Sequence, residues 1–146
     1  MHAFVTSLVF LLGSAFAVGC ASPAVSPVGP SEGGGTATLT AGTWTLVSIQ
    51  PAGQTERIVP DGASYTLTLA DGRVSTNADC NVCGGSLVVG GQMLTIGPRL
   101  ACTRAACPTM AFENSYVAML EGDSAVRIDG NTFTLTSPRG VLRFRR

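Results

Sequence analysis

The chain has 146 residues, nine arginines, no lysine and nine Asp plus Glu, so its formal net charge is zero. That balance leaves no basic footprint for nucleic acid. The single histidine, His2, lies at the extreme N-terminus, and once a leader is cleaved the mature chain holds none. Ser-His-Asp and Cys-His catalysis, and metal sites that need imidazole, are thereby set aside.

In chain order, residues 8 to 18 form an apolar run ending in Ala17-Val18-Gly19-Cys20. The run has the length of a signal-peptide core and falls short of the roughly 20 residues that span a bilayer. Small residues ahead of a cysteine resemble the bacterial lipoprotein signal motif, in which that cysteine is acylated and becomes the mature N-terminus. Residues 1–19 are therefore read as a lipoprotein signal peptide and Cys20 as the lipidation site. The departures from the motif are Ala17, where Leu is commoner, and an n-region without Lys or Arg. The plainer alternative is an ordinary signal peptide cut nearby, with Cys20 a free thiol. Ala21 and Ser22 are not acidic, which in many Gram-negative bacteria permits sorting to the outer membrane. Residues 20–42 are rich in Gly, Pro, Ser and Ala with one charge, Glu32. That composition is a tether with a reach on the order of 25 Å.

The remaining segment, 43–146, is long enough for one modest domain, expected as a monomer. Its short alternating runs separated by turn residues are the signature of a β-sandwich or barrel of about eight strands. Trp44 to Ile49 opens the series. Ser64 to Leu69 alternates strictly and passes through Asp71-Gly72, a hairpin signal, into Arg73 to Ala78. Leu87 to Val89 and Met93 to Ile96 flank Gly90-Gly91. After the cysteine region come Ala125 to Ile128, the turn 129–131, Phe133 to Thr136, the turn 138–140, and Val141 to Arg145. The last strand is read as a solvated edge, with Leu142 and Phe144 inward and Arg143 and Arg145 outward. One segment keeps a helical period, with Phe112, Tyr116, Met119 and Leu120 at i, i+4, i+7 and i+8. Thr109 is its expected N-cap and Gly122 its stop. Such a helix most simply covers an open end of the sheet, with its apolar residues in the core.

Four cysteines, Cys80, Cys83, Cys102 and Cys107, lie between strands and helix. Their spacing resembles a four-cysteine zinc site. In an exported chain the same thiols oxidise to disulfides, so two bridges are expected, with no metal and no cofactor. A redox-active Cys80-Cys83 pair is disfavoured, because Gly84-Gly85 rather than a helix start follows Cys83. Three connectivities are open. A nested one would staple the turn after one strand to the segment leading into the helix, and closing that loop of about 28 residues would contribute on the order of 3 to 4 kcal/mol.

From Trp44 to Phe144 the chain resembles the META-domain (HslJ-like) proteins, small bacterial envelope domains often carried on lipoproteins. The resemblance rests on Gly42-Thr43-Trp44 with Leu46, Asp71-Gly72-Arg73-Val74, Cys80-Asn81, Leu94-Thr95-Ile96-Gly97 and Thr103-Arg104-Ala105-Ala106-Cys107-Pro108. Glu113 with Leu120, Phe133 with Leu135, and Leu142 with Phe144 complete it. It implies a lipocalin-like β-barrel with one helix, a Cys80–Cys107 bridge and, by elimination, Cys83–Cys102. The family usually places glycines just before its Cys-Asn, where this chain has Thr76 and Asp79, so the backbone there is expected to differ.

For function, Asp61, Asp71, Asp123 and Asp129 sit beside Gly and are explained as turn residues. Arg104 is the polar residue singled out, expected to hydrogen-bond loop carbonyls or Glu113 or to meet a ligand. Asn81 is expected to organise its turn. The leading reading is a membrane-tethered envelope lipoprotein whose domain binds or protects without catalysis. Its partner would be an envelope protein or small ligand, and the resemblance adds a link to envelope stress. Two alternatives are a carrier of an apolar ligand among Trp44, Tyr65, Leu67, Phe133 and Leu135, and an inhibitor of a hydrolase acting through a protruding loop, Gln50 to Ala63. The carrier reading fails if Phe112 and Tyr116 fill that space. Catalysis would need a pocket gathering two carboxylates, or an Arg with a carboxylate.

Overall fold

A computed structural model describes Leu39 and residues 42–146. The segment read as a signal peptide, Cys20 with its expected lipidation, and nearly all of the segment read as a tether lie outside the described residues. No helix among the described residues is long and apolar enough to cross a membrane. Leu39, within the segment read as tether, is buried, and its carbonyl accepts a hydrogen bond from the Trp44 indole at 3.0 Å.

Strand β1, Thr43–Pro51, starts with alternating burial, Trp44 and Leu46 inward. Its register against the last strand shifts between Leu46 and Ser48, and beyond that bulge Ser48 and Ile49 are both buried. An extra residue on one strand resets which side chains face the core. Strands β3, Tyr65–Ala70, and β4, Arg73–Ala78, form a hairpin closed by Asp71 and Gly72 at φ 50° and 70°. Two positive φ values match the turn to the right-handed twist of the strands.

Strand β5, Asn81–Gly90, is more than three times the length its periodicity suggests. Gly84 and Gly85 hide its first half from sequence reading. A Cβ on Gly85 would meet the Leu100 side chain at 2.8 Å, so a glycine is what allows that approach. The following turn falls on Gly91 and Gln92 rather than Gly90 and Gly91, because Gly90 pairs with Met93 of β6, Met93–Ile96. Strands β8, Gly122–Asp129, β9, Thr132–Ser137, and β10, Gly140–Arg145, continue antiparallel. Two-residue strands β2, Arg57–Ile58, and β7, Ala101–Cys102, add to β1 and β5.

Strand β10 pairs with β1 from Arg145 opposite Thr45 to Gly140 opposite Pro51. That contact closes an eight-stranded antiparallel barrel in the order β1, β3, β4, β5, β6, β8, β9, β10. The edge-strand reading of β10 is therefore corrected. Its arginines alternate outward on a strand paired on both sides, and Arg143 bonds Glu56 at 2.8 Å.

Helix α1, Met110–Leu120, lays Phe112, Tyr116, Met119 and Leu120 into the barrel. Thr109 stands at the N-cap position without capping: its hydroxyl donates to the Asp79 carboxylate instead. The helix ends one residue ahead of the expected stop, its backbone turning extended at Glu121, and Gly122, at φ 84°, opens the next strand. Inside, rings meet in succession: Phe112 with Tyr65 at 5.1 Å, Tyr65 with Tyr116 at 5.3 Å, Tyr116 with Phe144 at 6.4 Å, Phe144 with Phe133 at 5.2 Å, and Phe133 with Trp44 at 5.1 Å. The Thr76 hydroxyl donates to Thr66 O at 2.6 Å and lies 2.8 Å from the Tyr116 hydroxyl, which donates to it in turn.

Two outcomes follow from this core. Phe133→Ala is expected to cost about 3–5 kcal/mol through the cavity it leaves, read as a fall in urea midpoint, whereas the exposed Val82→Ala should stay within about 0.5 kcal/mol. Burial pushes the Tyr116 phenol well above its ordinary value of 10.0. Its folded pKa is raised, so its contribution is fully present below the unfolded value and is lost as pH rises beyond it. Stability should therefore decline in alkali, and Tyr116→Phe should flatten that decline in denaturation curves taken across the range.

Candidate functional site

The β4–β5 turn supplies the site's foundation. Ala78 pairs with Asn81, leaving Asp79 and Cys80 in the turn, with Asp79 at φ 58°. That is the left-handed region where glycine is at ease and Asp is tolerated better than most residues. Asp79 adopts a glycine-like conformation, and its carboxylate accepts a hydrogen bond from the Thr109 hydroxyl. Thr76, the other substitution, is buried against Tyr116.

The cysteines pair in the nested fashion, Cys80 with Cys107 and Cys83 with Cys102. The first bridge ties the turn to the segment ahead of α1. The second joins residues in register on β5 and β7, with Cα atoms 4.0 Å apart. Two separate bridges replace the single tetrahedral cluster that the spacing resembles, and Cys80 and Cys83 do not bond to each other.

Between the bridges, the fully buried Asn81 side chain joins three elements. Its Oδ1 accepts from the Thr103 hydroxyl at 2.9 Å and from Ala105 N at 2.8 Å. Its amide donates to Ala105 O at 3.1 Å and to both Glu113 carboxylate oxygens at 3.0 Å. Every hydrogen-bonding capacity of the side chain is used. Asn81 thus organises the opposing 103–105 loop and the first turn of α1, rather than its own turn. Thr103 adds two bonds to β5, its hydroxyl accepting from Val82 N and its own N–H donating to Val82 O, each at 3.0 Å.

Glu113 is 5% exposed, in the helix's first turn, where a negative group suits the dipole. Arg104 does not reach it. The arginine is exposed and, among the described residues, makes no hydrogen bond or ion pair, contrary to the expectation of a bond to Glu113 or loop carbonyls.

A groove of about 480 Å³ runs between this loop and α1, with Arg104 and Ala106 on one wall, Met110, Asn114 and Val117 on the other, and the Asn81–Glu113 pair reaching its lining. It does gather an Arg with a carboxylate. Nearby, the Tyr65 hydroxyl is buried without a hydrogen-bond partner among the described residues. Burial raises its pKa, and the Asp79 and Glu113 carboxylates add to the rise. The periodicity of the sequence carries no signal for that tyrosine's polar surroundings.

The regions reserved for the alternatives look different. Phe112 and Tyr116 occupy the space next to Tyr65, and the rings continue to Phe133 and Trp44. Residues 50–63 do not protrude as a free loop. Arg57 and Ile58 pair with Ile49 and Ser48, the Ser48 hydroxyl and Arg143 both bond Glu56, and Arg57 lies 5.5 Å over the Phe112 ring. The turn carboxylates do not converge: Asp123 accepts from Thr95 at 2.6 Å and Asp129 faces Arg127 at 3.8 Å.

Removing the Asn81 amide strands Ala105 and buried Glu113 together, so Asn81→Ala is expected to cost about 2–3 kcal/mol. Arg104→Ala should stay within about 0.5 kcal/mol. Chemical denaturation of the two variants checks the contrast, and faster amide exchange at Ala105 should accompany the first alone.

A family model described as META domain matches residues 37–146. Among solved structures, the NMR structure of a protein from Burkholderia xenovorans superposes with a TM-score of 0.63 at 28% identity, covering 86% of this chain and 96% of that one. A second NMR structure, at 21% identity and a TM-score of 0.58, covers 74% of this chain and 91% of its own and shares the fold. No curated protein matches the sequence. The matched span takes in every strand of the barrel, the helix and both bridges, and the chain belongs to the META domain family.

Proposed function

We propose that this protein is a membrane-tethered module of the cell envelope, a lipoprotein of the HslJ-like kind acylated at Cys20, whose META domain recognises an envelope component without catalysis. The observation that carries the reading is Arg104, an exposed cation without a partner among the described residues at the wall of an outer groove, while aromatic rings occupy the barrel interior. An interior filled in this way favours recognition at the outer face over carriage of an apolar ligand inside. An Arg beside a carboxylate is also the arrangement acid–base chemistry would use. Here both Glu113 oxygens are held by Asn81 and the group is almost wholly covered, which favours binding. A protective role under envelope stress is part of the same proposal.

Two measurements test this. Cys20→Ser should move the protein from the membrane pellet to the soluble fraction and remove the acyl mass from the intact chain; an unchanged distribution sinks the anchor. A photocrosslinking amino acid at position 114 should give a discrete adduct in intact cells that Arg104→Glu abolishes. Adducts indifferent to that charge reversal would put recognition elsewhere.

A further inference from the structure

Glu113 is buried, yet it faces no cation among the described residues. The two ion pairs there, Arg127 with Asp129 and Arg143 with Glu56, leave it out, and a neutral amide holds both its oxygens. Buried carboxylates are ordinarily paired with a positive charge or a metal. What faces Glu113 instead is sulfur. Cys107 Sγ lies 3.5 Å from Glu113 Oε2, and the ligand atoms of Cys80, Cys107 and Glu113 all fall within 4.8 Å of one another. In the oxidised protein both sulfurs are committed to their bridge and offer no thiolate.

We propose that reduction of the Cys80–Cys107 bridge opens a binding site for a zinc-class divalent cation, formed by the Cys80 and Cys107 thiolates and the Glu113 carboxylate. A dithiol reductant supplies the two electrons and two protons: its own sulfurs join in a disulfide, the protein's S–S bond breaks, and two thiols result. The cation then displaces both thiol protons as it binds. A tetrahedral zinc with Zn–S of about 2.3 Å and Zn–O of about 2.0 Å places sulfur and oxygen about 3.5 Å apart and two sulfurs about 3.8 Å apart. The Cys107–Glu113 separation already meets the first requirement. Cα atoms 6.1 Å apart leave the freed sulfurs room to meet the second by side-chain rotation.

Two features keep the site assembled once the bridge opens. Each bridge joins a buried cysteine to a more accessible one, Cys107 to exposed Cys80 and Cys83 to half-buried Cys102, so the dithiol meets the more exposed Cys80 first. Asn81 still grips Ala105 and Glu113, and its amide becomes the outer-shell donor that orients the carboxylate. Without a cation, two thiolates and a carboxylate at this spacing repel one another. A divalent ion relieves that repulsion, and the fourth coordination position is left to water.

Co²⁺, a spectroscopic stand-in for zinc, tests the proposal on the full chain, reduced with a dithiol and desalted without oxygen. The reduced protein should bind one Co²⁺ with a sulfur-to-metal charge-transfer band and retain its near-ultraviolet Trp44 signal, while the oxidised protein shows no band. Glu113→Gln should weaken binding by at least the roughly tenfold that loss of an outer-shell partner costs. Cys83→Ser with Cys102→Ser should keep the band, and Cys80→Ser with Cys107→Ser should lose it. The proposal is overturned by an absent band in the reduced wild type, by collapse of the Trp44 signal with Co²⁺ present, or by Glu113→Gln binding as tightly as wild type.

Discussion

The buried amide of Asn81 is the interaction on which the mouth of the barrel depends. One side chain with two donors and two acceptor lone pairs joins strand β5, the 103–105 loop and the first turn of α1. Asp in its place would offer no donor to Glu113 and would set two carboxylates face to face. With the Thr103 hydroxyl and the Ala105 backbone bonded to Asn81, Arg104 between them stays exposed at the groove wall. Because Glu113 is drawn in, α1 enters at the angle that sends Phe112 and Tyr116 into the barrel.

The covalent bridges and this network act on the same short stretch but in different states. A disulfide across 27 or 19 residues works chiefly by restricting the unfolded chain, on the order of 3 kcal/mol for one alone. Nested bridges add less than their sum, since closing one loop already brings the other pair near. The Asn81 hydrogen bonds act in the folded state, where they set geometry to a few tenths of an ångström. Either bridge holds the loop close; only the amide decides which way its side chains face.

Barrel closure divides the molecule functionally. Once β10 pairs with β1, no long sheet edge is left for a partner strand to extend, and the ring stack takes up the central interior. What the domain offers outward is then its rim, where the longest irregular segment meets the helix. Among the polar groups gathered there, Asn81 and Glu113 are bonded to each other and reach the lining of the groove.

The strands with strict alternation, the Asp71-Gly72 hairpin and the helical stripe were legible in the sequence, because period-two and period-3.6 burial are local consequences of backbone geometry. Glycine chemistry was less so: Gly84 and Gly85 read as a break although they lie within β5, since what they accommodate, Leu100, is distant in sequence. The same limit applies to polar residues. Asn81, Glu113 and Arg104 stand out by type and motif, yet Arg104 was expected on Glu113 and Thr109 on the helix terminus, and each went elsewhere. A side chain with several possible partners bonds the one that three-dimensional packing brings within about 3 Å, and Asp79 reached Thr109 just as Asn81 reached Glu113. The sequence by itself determined the mainly-β fold class, the number of long strands and which side of the strictly alternating strands is apolar, because these follow from local periodicity. Tertiary structure alone decided that β10 is no edge and that Arg104 is left exposed, because each depends on contacts between residues far apart in the chain.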